Sequence, residues 1–228
     1  MDSNLDLSQI DTIIFDFDGT LHRGEELSLP IFEQCLKSLF EKYKISKEYP
    51  TTEEILSQFG KQTEEIYPSL LKTNDPDMID FFSKCVEQSE VLAFNAGKGN
   101  LYPKVLETLK ILKRRKFKLA LCTNARMDYF EAVVKRFKLA DYFDLMAAAG
   151  QYPGKNKVWM VKNIINKLNS ENFVVVGDRV HDIEAAKANG GISIGCAYGF
   201  GNNELNNADI RITAFEELLT VFRQKEEN

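Results

Sequence analysis

Thr12-Ile13-Ile14-Phe15-Asp16-Phe17-Asp18-Gly19-Thr20 is the stretch on which the fold turns. From Thr12 to Phe17 it is a nearly continuous apolar run, not an alternation of apolar and polar residues. That is the pattern of a strand buried on both faces, as in a parallel sheet covered by helices. The run ends in Asp18-Gly19-Thr20, which reads as a turn. Similar short runs recur at Phe117 to Cys122, Leu145 to Ala149, Phe173 to Val176, Ile192 to Cys196 and Ile210 to Ile212. Segments of helical period lie between them. Tyr102 to Arg115 places Val105, Leu106, Leu109 and Leu112 on one stripe, and Asp128 to Phe137, Val158 to Leu168, His181 to Asn189 and Phe215 to Gln224 repeat the pattern. Strand–helix alternation of this kind predicts an α/β fold, a doubly wound parallel sheet of Rossmann-like form.

The region from about His22 to Gly99 breaks the alternation. Pro30 to Tyr43, Thr52 to Phe59, Thr63 to Leu71 and Asp75 to Phe94 read as helices, with no strand between them and with Pro50, Pro68 and Pro76 punctuating the elements. Phe32, Leu36, Leu39 and Phe40 form one apolar stripe, and Phe81, Phe82, Cys85 and Val86 another. The expected organisation is a core domain made of residues 1–21 and 100–228, with a small α-helical cap domain, 22–99, inserted after the first strand. Gly97-Lys98-Gly99-Asn100 is expected to be the return hinge.

Composition narrows the function. With 44% hydrophobic residues the chain can build a core, and disorder is not expected over most of its length. Lys plus Arg number 29 against 34 Asp plus Glu, an acidic balance that argues against nucleic-acid binding. The basic run Lys113-Arg114-Arg115-Lys116 sits where a helix ends, where cations complement the helix dipole. The cysteines Cys35, Cys85, Cys122 and Cys196 are widely spaced and form no paired metal motif; Cys122 and Cys196 read as small core hydrophobes. Met1 to Asp11 is polar, unlike a signal peptide, and no stretch approaches the roughly 20 apolar residues of a membrane helix. A cytoplasmic protein is expected.

Four clusters carry candidate chemistry, each at the C-terminal end of an expected strand or in the segment after it, the edge where doubly wound sheets bind ligands. In the first, Asp16 and Asp18 are carboxylates two residues apart that would repel if buried unpaired, and a cation relieves that repulsion. Asp16 is placed as a nucleophile and Asp18 as an acid and base, while Gly19 lets the backbone turn so that amides, including that of Thr20, face an anion. The bland reading is an Asp-Gly turn with solvated acids. In the second, Leu121-Cys122-Thr123-Asn124-Ala125, Thr123 and Asn124 offer donors to a phosphoryl oxygen, or simply begin a helix. The third, Gly154-Lys155-Asn156-Lys157, brings a lysine to a helix entry, where it neutralises a transferring phosphate or lies on the surface. In the fourth, Val174 to Asp182, Asp178 and Asp182 fall on one face of a starting helix as hard-cation ligands or as helix-capping acids.

In order, spacing and placement, these clusters resemble the haloacid dehalogenase superfamily of phosphohydrolases, from Thr12 to about Leu219. The resemblance is greatest to the phosphoglycolate phosphatase type, which also inserts a helical cap after the first motif. Gly177 to Gly190 and Tyr198-Gly199-Phe200-Gly201 are close to that subgroup. It implies a Mg²⁺-dependent phosphatase acting on a small phosphorylated metabolite. Asp16 would be the nucleophile that becomes an aspartyl-phosphate, and Asp18 the acid that protonates the leaving oxygen and then activates water. Thr123 would bind the phosphate. Asp178 would ligate the metal, with Asp182 as its direct or outer-sphere partner and the Asp18 carbonyl completing the protein's share.

For the lysine, the run Val-Trp-Met-Val-Lys-Asn-Ile-Ile favours Lys157 by its apolar period; Lys155 follows Gly154, as the family lysine often does, but lacks the usual proline. A second departure follows Leu21, where His22-Arg23-Gly24-Glu25 replaces the aspartate and serine of many relatives. Arg23 reads as a linker residue. A phosphomutase or other phosphotransferase using the same aspartyl-phosphate is the competing enzyme, and a binding protein that keeps the fold without the chemistry is the competitor of another class. A carbon–halogen hydrolase is disfavoured, because Asp18 and the acidic site would have no purpose.

Overall fold

The computed structural model describes residues 6–223. The runs that read as doubly buried strands are strands: β1 (Thr12–Phe15), β2 (Lys118–Thr123), β3 (Leu145–Ala148), β4 (Phe173–Gly177), β5 (Ile192–Cys196) and β6 (Ile210–Ile212). They form one parallel sheet in the order β3-β2-β1-β4-β5-β6. The order reverses beside β1, which pairs with β2 on one side and β4 on the other. Crevices form at such a reversal, beyond the carboxyl ends of the strands. In register, Phe15 lies opposite both Leu121 and Val176, so residues 16, 122 and 177 reach that edge together.

Helices cover both faces, as the continuous apolar runs require. Ile13, Phe15, Leu119, Leu121, Val174 and Val176 pack with residues of α5 (Val105–Arg114), α6 (Met127–Phe137) and α9 (Leu218–Val221). The alternate residues Ile14, Ala120, Cys122 and Val175 face α7 (Lys157–Leu168) and α8 (Val180–Ala188). Cys122 and Cys196 are buried free thiols within these layers.

Between β1 and α5 the chain makes four helices and no strand: α1 (Gly24–Tyr43), α2 (Thr52–Leu56), α3 (Thr63–Leu71) and α4 (Pro76–Asn95). They enclose a separate core in which Phe82, fully buried, meets Phe32 and Tyr67 edge-on with ring centroids 5.7 and 5.6 Å apart. Two linkers join this insert to the sheet side by side. Arg23 N–H donates to Asn100 O at 2.9 Å, and Tyr102 N–H to Leu21 O at 2.8 Å.

Several boundaries differ from the sequence reading. α1 begins at Gly24 and carries Pro30 inside it, because Glu25 and Glu26 suit a helix start and Leu27 is buried in the main core. Pro68 is likewise inside α3 and punctuates nothing, whereas Pro76 is the first residue of α4, capped by the Asp75 carboxylate. The last helix shrinks to a single 3₁₀ turn, Phe215–Glu217, followed by Leu218–Val221. Gln224, where that helix was expected to end, lies outside the described residues. The spacing of the cysteines gave no sign that Cys35 of α1 and Cys85 of α4 form a disulfide, with a Cα–Cα distance of 5.8 Å. Cys85 lies in one of the apolar stripes and Cys35 directly precedes Leu36 of the other, which was the available signal.

Replacing Phe82 by alanine removes the ring at the centre of the insert and leaves a cavity. Urea unfolding should show a loss of about 3–5 kcal/mol.

Candidate active site

Asp16 leaves the end of β1 with its N–H donated to Val176 O at 2.9 Å, which locks it against β4. Asp178 follows β4 directly, and Asp182 lies in the first turn of α8, where its Oδ2 accepts the Arg179 N–H at 3.1 Å. Asp182 is therefore a helix cap as well as a member of the site. Oxygens of Asp16, Asp178 and Asp182 all lie within 4.8 Å of one another, and all three residues are buried.

Lys157 is the first residue of α7, a helix capped by the Asn156 side chain, which accepts the Trp159 N–H at 3.0 Å. Its buried ammonium touches Asp16 Oδ1 and Asp182 Oδ1, each at 2.7 Å. Lys155 is exposed, its ammonium 5.4 Å from the Trp159 ring centroid and away from the acids. Burial opposes the Lys157 charge, but Asp16 and Asp182 outweigh it and raise its pKa. Burial lifts the Asp16 carboxyl to about 7, with Asp182 adding to the rise and Lys157 opposing it. Burial and the charges of Asp16 and Asp182 raise Asp178 well above the carboxylate range. Three buried acids against one ammonium leave excess negative charge in an all-oxygen donor set, an environment suited to a hard divalent cation.

Gly19 makes this crowding possible. Its φ is +79°, and a Cβ there would stand 2.3 Å from Asp178 Oδ2. Thr20 is turned inward, its hydroxyl 3.4 Å from Asp178 Oδ1, while Phe200 N–H donates to Asp178 Oδ2 at 2.7 Å. Thr123 ends β2, buried, with its hydroxyl accepting the Ala125 N–H at 3.2 Å. Asn124 follows it, its amide donating to Gly60 O of the insert at 2.9 Å.

Asp16, Asp18 and Thr123 open onto a cavity of about 80 Å³ between sheet and insert. Its far wall is aromatic, with Phe32, Phe59 and Tyr67 from the insert and Phe200 from the core. Glu90 of α4 is buried there, taking the Ser28 hydroxyl at 2.6 Å and Arg126 of the core at 2.8 Å. Burial raises the Glu90 carboxyl, with Arg126 opposing. Asp18 is held by His22 and Tyr129. The sequence reading gave no role to His22, Glu90, Arg126, Tyr129 or the Phe200 amide. His22 stands in the departure after Leu21 and Phe200 in the Tyr198–Gly201 stretch, but no local spacing marks the other three.

The sequence pattern of the haloacid dehalogenase-like hydrolases matches residues 13–195, and this chain belongs to that family. It is 28% identical over 224 residues to pyrophosphatase PpaX of Bacillus pumilus, covering 94% of this chain and 97% of the relative. It is also 28% identical over 216 residues to a phosphoglycolate phosphatase of Neisseria meningitidis, covering 90% and 88%. A crystal structure of a predicted phosphoglycolate phosphatase from Haemophilus somnus shares the fold with a TM-score of 0.79 and 21% identity, over 94% of this chain and 99% of that one. The chain is an enzyme of the phosphatase kind. Among the described residues, no helix is long and apolar enough to cross a membrane.

Gly19→Ala forces a side chain into the left-handed region and onto the Asp178 carboxylate. It should lower stability by about 1–3 kcal/mol in denaturant titration and reduce turnover along with it.

Proposed function

We propose that the chain is a magnesium-dependent phosphatase that hydrolyses a small phosphate monoester through an aspartyl-phosphate on Asp16. The observation that carries this reading is the pairing of buried Asp16 with Lys157 at the sheet reversal, facing a cavity that also holds Asp18. A carboxylate oxygen of Asp16 attacks phosphorus as the bond to the leaving oxygen breaks, and Asp18 gives that oxygen its proton. Asp18, now ionised, takes a proton from water. The water oxygen attacks phosphorus, the bond to Asp16 breaks, and phosphate leaves with both acids restored.

Lys157 faces the charge on the transferring group, and Thr123 offers a hydroxyl to one of its oxygens. Gly19, Thr20 and Asn124 were also expected to bind phosphate. The inward turn of Thr20 and the bond from Asn124 to Gly60 favour a framing role for both residues. Asp16, Asp178 and Asp182, with the Asp18 carbonyl, are the groups that would hold Mg²⁺, which when bound neutralises charge on the phosphoryl oxygens. Residues 22–99 act as a cap on the core of residues 1–21 and 100–228, closing the aromatic wall over the leaving group and excluding water from the first displacement. The substrate class proposed is a small phosphorylated metabolite. The cytoplasm is the compartment proposed from the sequence, and the Cys35–Cys85 disulfide weighs against it, since such bonds persist in oxidising surroundings.

The test is phosphate release from a panel of monoesters that includes phosphoglycolate, with pyrophosphate alongside. Release should require Mg²⁺ and stop with EDTA. Asp16→Asn should abolish it, and Lys157→Ala should lower kcat by about 100-fold or more while Lys155→Ala stays near wild type. Full activity in Asp16→Asn overturns the mechanism. Stoichiometric phosphate release, unaffected by added acceptor sugars, excludes the phosphotransferase reading.

A second expectation follows from the raised Asp16 carboxyl. Its folded pKa of about 7 exceeds the ordinary 3.8, so its contribution to stability is complete below about pH 4 and is lost as pH rises through 7. A cation held by the ionised acids offsets that loss. Mg²⁺ should therefore raise Tm more at pH 8 than at pH 5.

A further inference from the structure

Asp18 is the acid of the proposed cycle, and the inference that follows rests on that reading. We propose that His22 and Tyr129 are positioning residues that clamp one oxygen of Asp18, so that the proton it delivers is carried on the other. Both act on Oδ1: the Tyr129 hydroxyl at 2.7 Å and the His22 Nδ1 at 2.8 Å. They come from separate parts of the chain, His22 from the linker before α1 and Tyr129 from the first turn of α6, 111 residues beyond Asp18.

Each is built as a donor. Tyr129 is buried, and its phenolic hydroxyl donates to the carboxylate. His22 is wholly buried, stacked on Phe17 at 5.1 Å and 14°, with Phe94 and Phe137 beside it. A neutral imidazole has one N–H and one lone pair. Nδ1 faces a carboxylate, whereas Nε2 has no hydrogen-bond partner among the described residues. It lies against Gly99, where a Cβ would stand 3.1 Å away. A proton therefore belongs on Nδ1, directed at the carboxylate.

Two donors on Oδ1 leave that oxygen an acceptor only. The acid's proton sits on Oδ2, and the side chain cannot rotate without breaking both bonds. His22 and Tyr129 touch neither Asp16, Asp178 nor Lys157, so their effect is confined to the proton delivered to the leaving oxygen.

An acid matters most when the leaving group is a poor one. The experiment compares single-turnover release of leaving group from p-nitrophenyl phosphate, whose phenolate leaves without help, and from the best alkyl phosphate of the panel. Asp18→Asn should slow the alkyl substrate far more than the aryl one. Tyr129→Phe and His22→Leu should do the same, with alkyl release falling by about 10-fold or more beyond any fall in aryl release. His22→Asn, whose amide places a donor near the Nδ1 position, should recover most of the alkyl rate. If Asp18→Asn fails to separate the two substrates, the assignment of Asp18 as the acid fails. If Asp18→Asn separates them but Tyr129→Phe slows both alike or neither, the clamp is wrong. Should His22→Leu not fold, Tyr129→Phe decides alone.

Discussion

Three carboxylates taken out of water within 4.8 Å of one another are the condition around which the chain is arranged. Isolated buried charges of one sign are strongly unfavourable, so each needs a donor or a counter-charge. Lys157 answers two of them, Asp16 and Asp182, from the first residue of α7. Asp178 is answered by the Phe200 N–H, which requires the loop after β5 to fold back over β4. The parallel sheet supplies the coincidence in space, since β1 and β4 are adjacent and in register although Phe15 and its partner Val176 are 161 positions apart in the chain.

The insert completes the site from the other side. Its polar ties to the core include Asn124 to Gly60, Gln62 to the Lys155 carbonyl at 3.1 Å, Arg179 to the Phe59 carbonyl, and Arg126 to Glu90. Apolar packing joins them: Leu27 and Phe94 are buried in the main core, and Phe59 meets Phe200 with ring centroids 5.5 Å apart.

The sheet was legible because its central strands are buried on both faces and therefore announce themselves as apolar runs. Asp16, Asp178 and Lys157 were legible for a related reason, since each sits immediately beyond a run or at the head of an amphipathic helix. Helix ends in the insert were not, because Pro30 and Pro68 are carried inside helices whose packing outweighs the lost N–H. Tyr129, Glu90 and Arg126 reach the cavity only through the packing of α4 and α6, and no short-range spacing encodes that meeting. Asn124 lines the cavity beside Thr123, where its place in the sequence put it, and its amide also reaches a backbone carbonyl of the insert that no local spacing could have named.

The bond between Cys35 and Cys85 joins the first and last helices of the insert. Residues 35 to 85 thereby form a closed covalent ring, with both linkers leaving from outside it. A backbone cut at the exposed Lys47-Glu48-Tyr49 stretch would open the ring into a single branched molecule, with no fragment released until a reductant is added. The same ring keeps α1 and α4, which carry Ser28 and Glu90, from parting at their midpoints. Whatever the insert does above the site, it does as one piece.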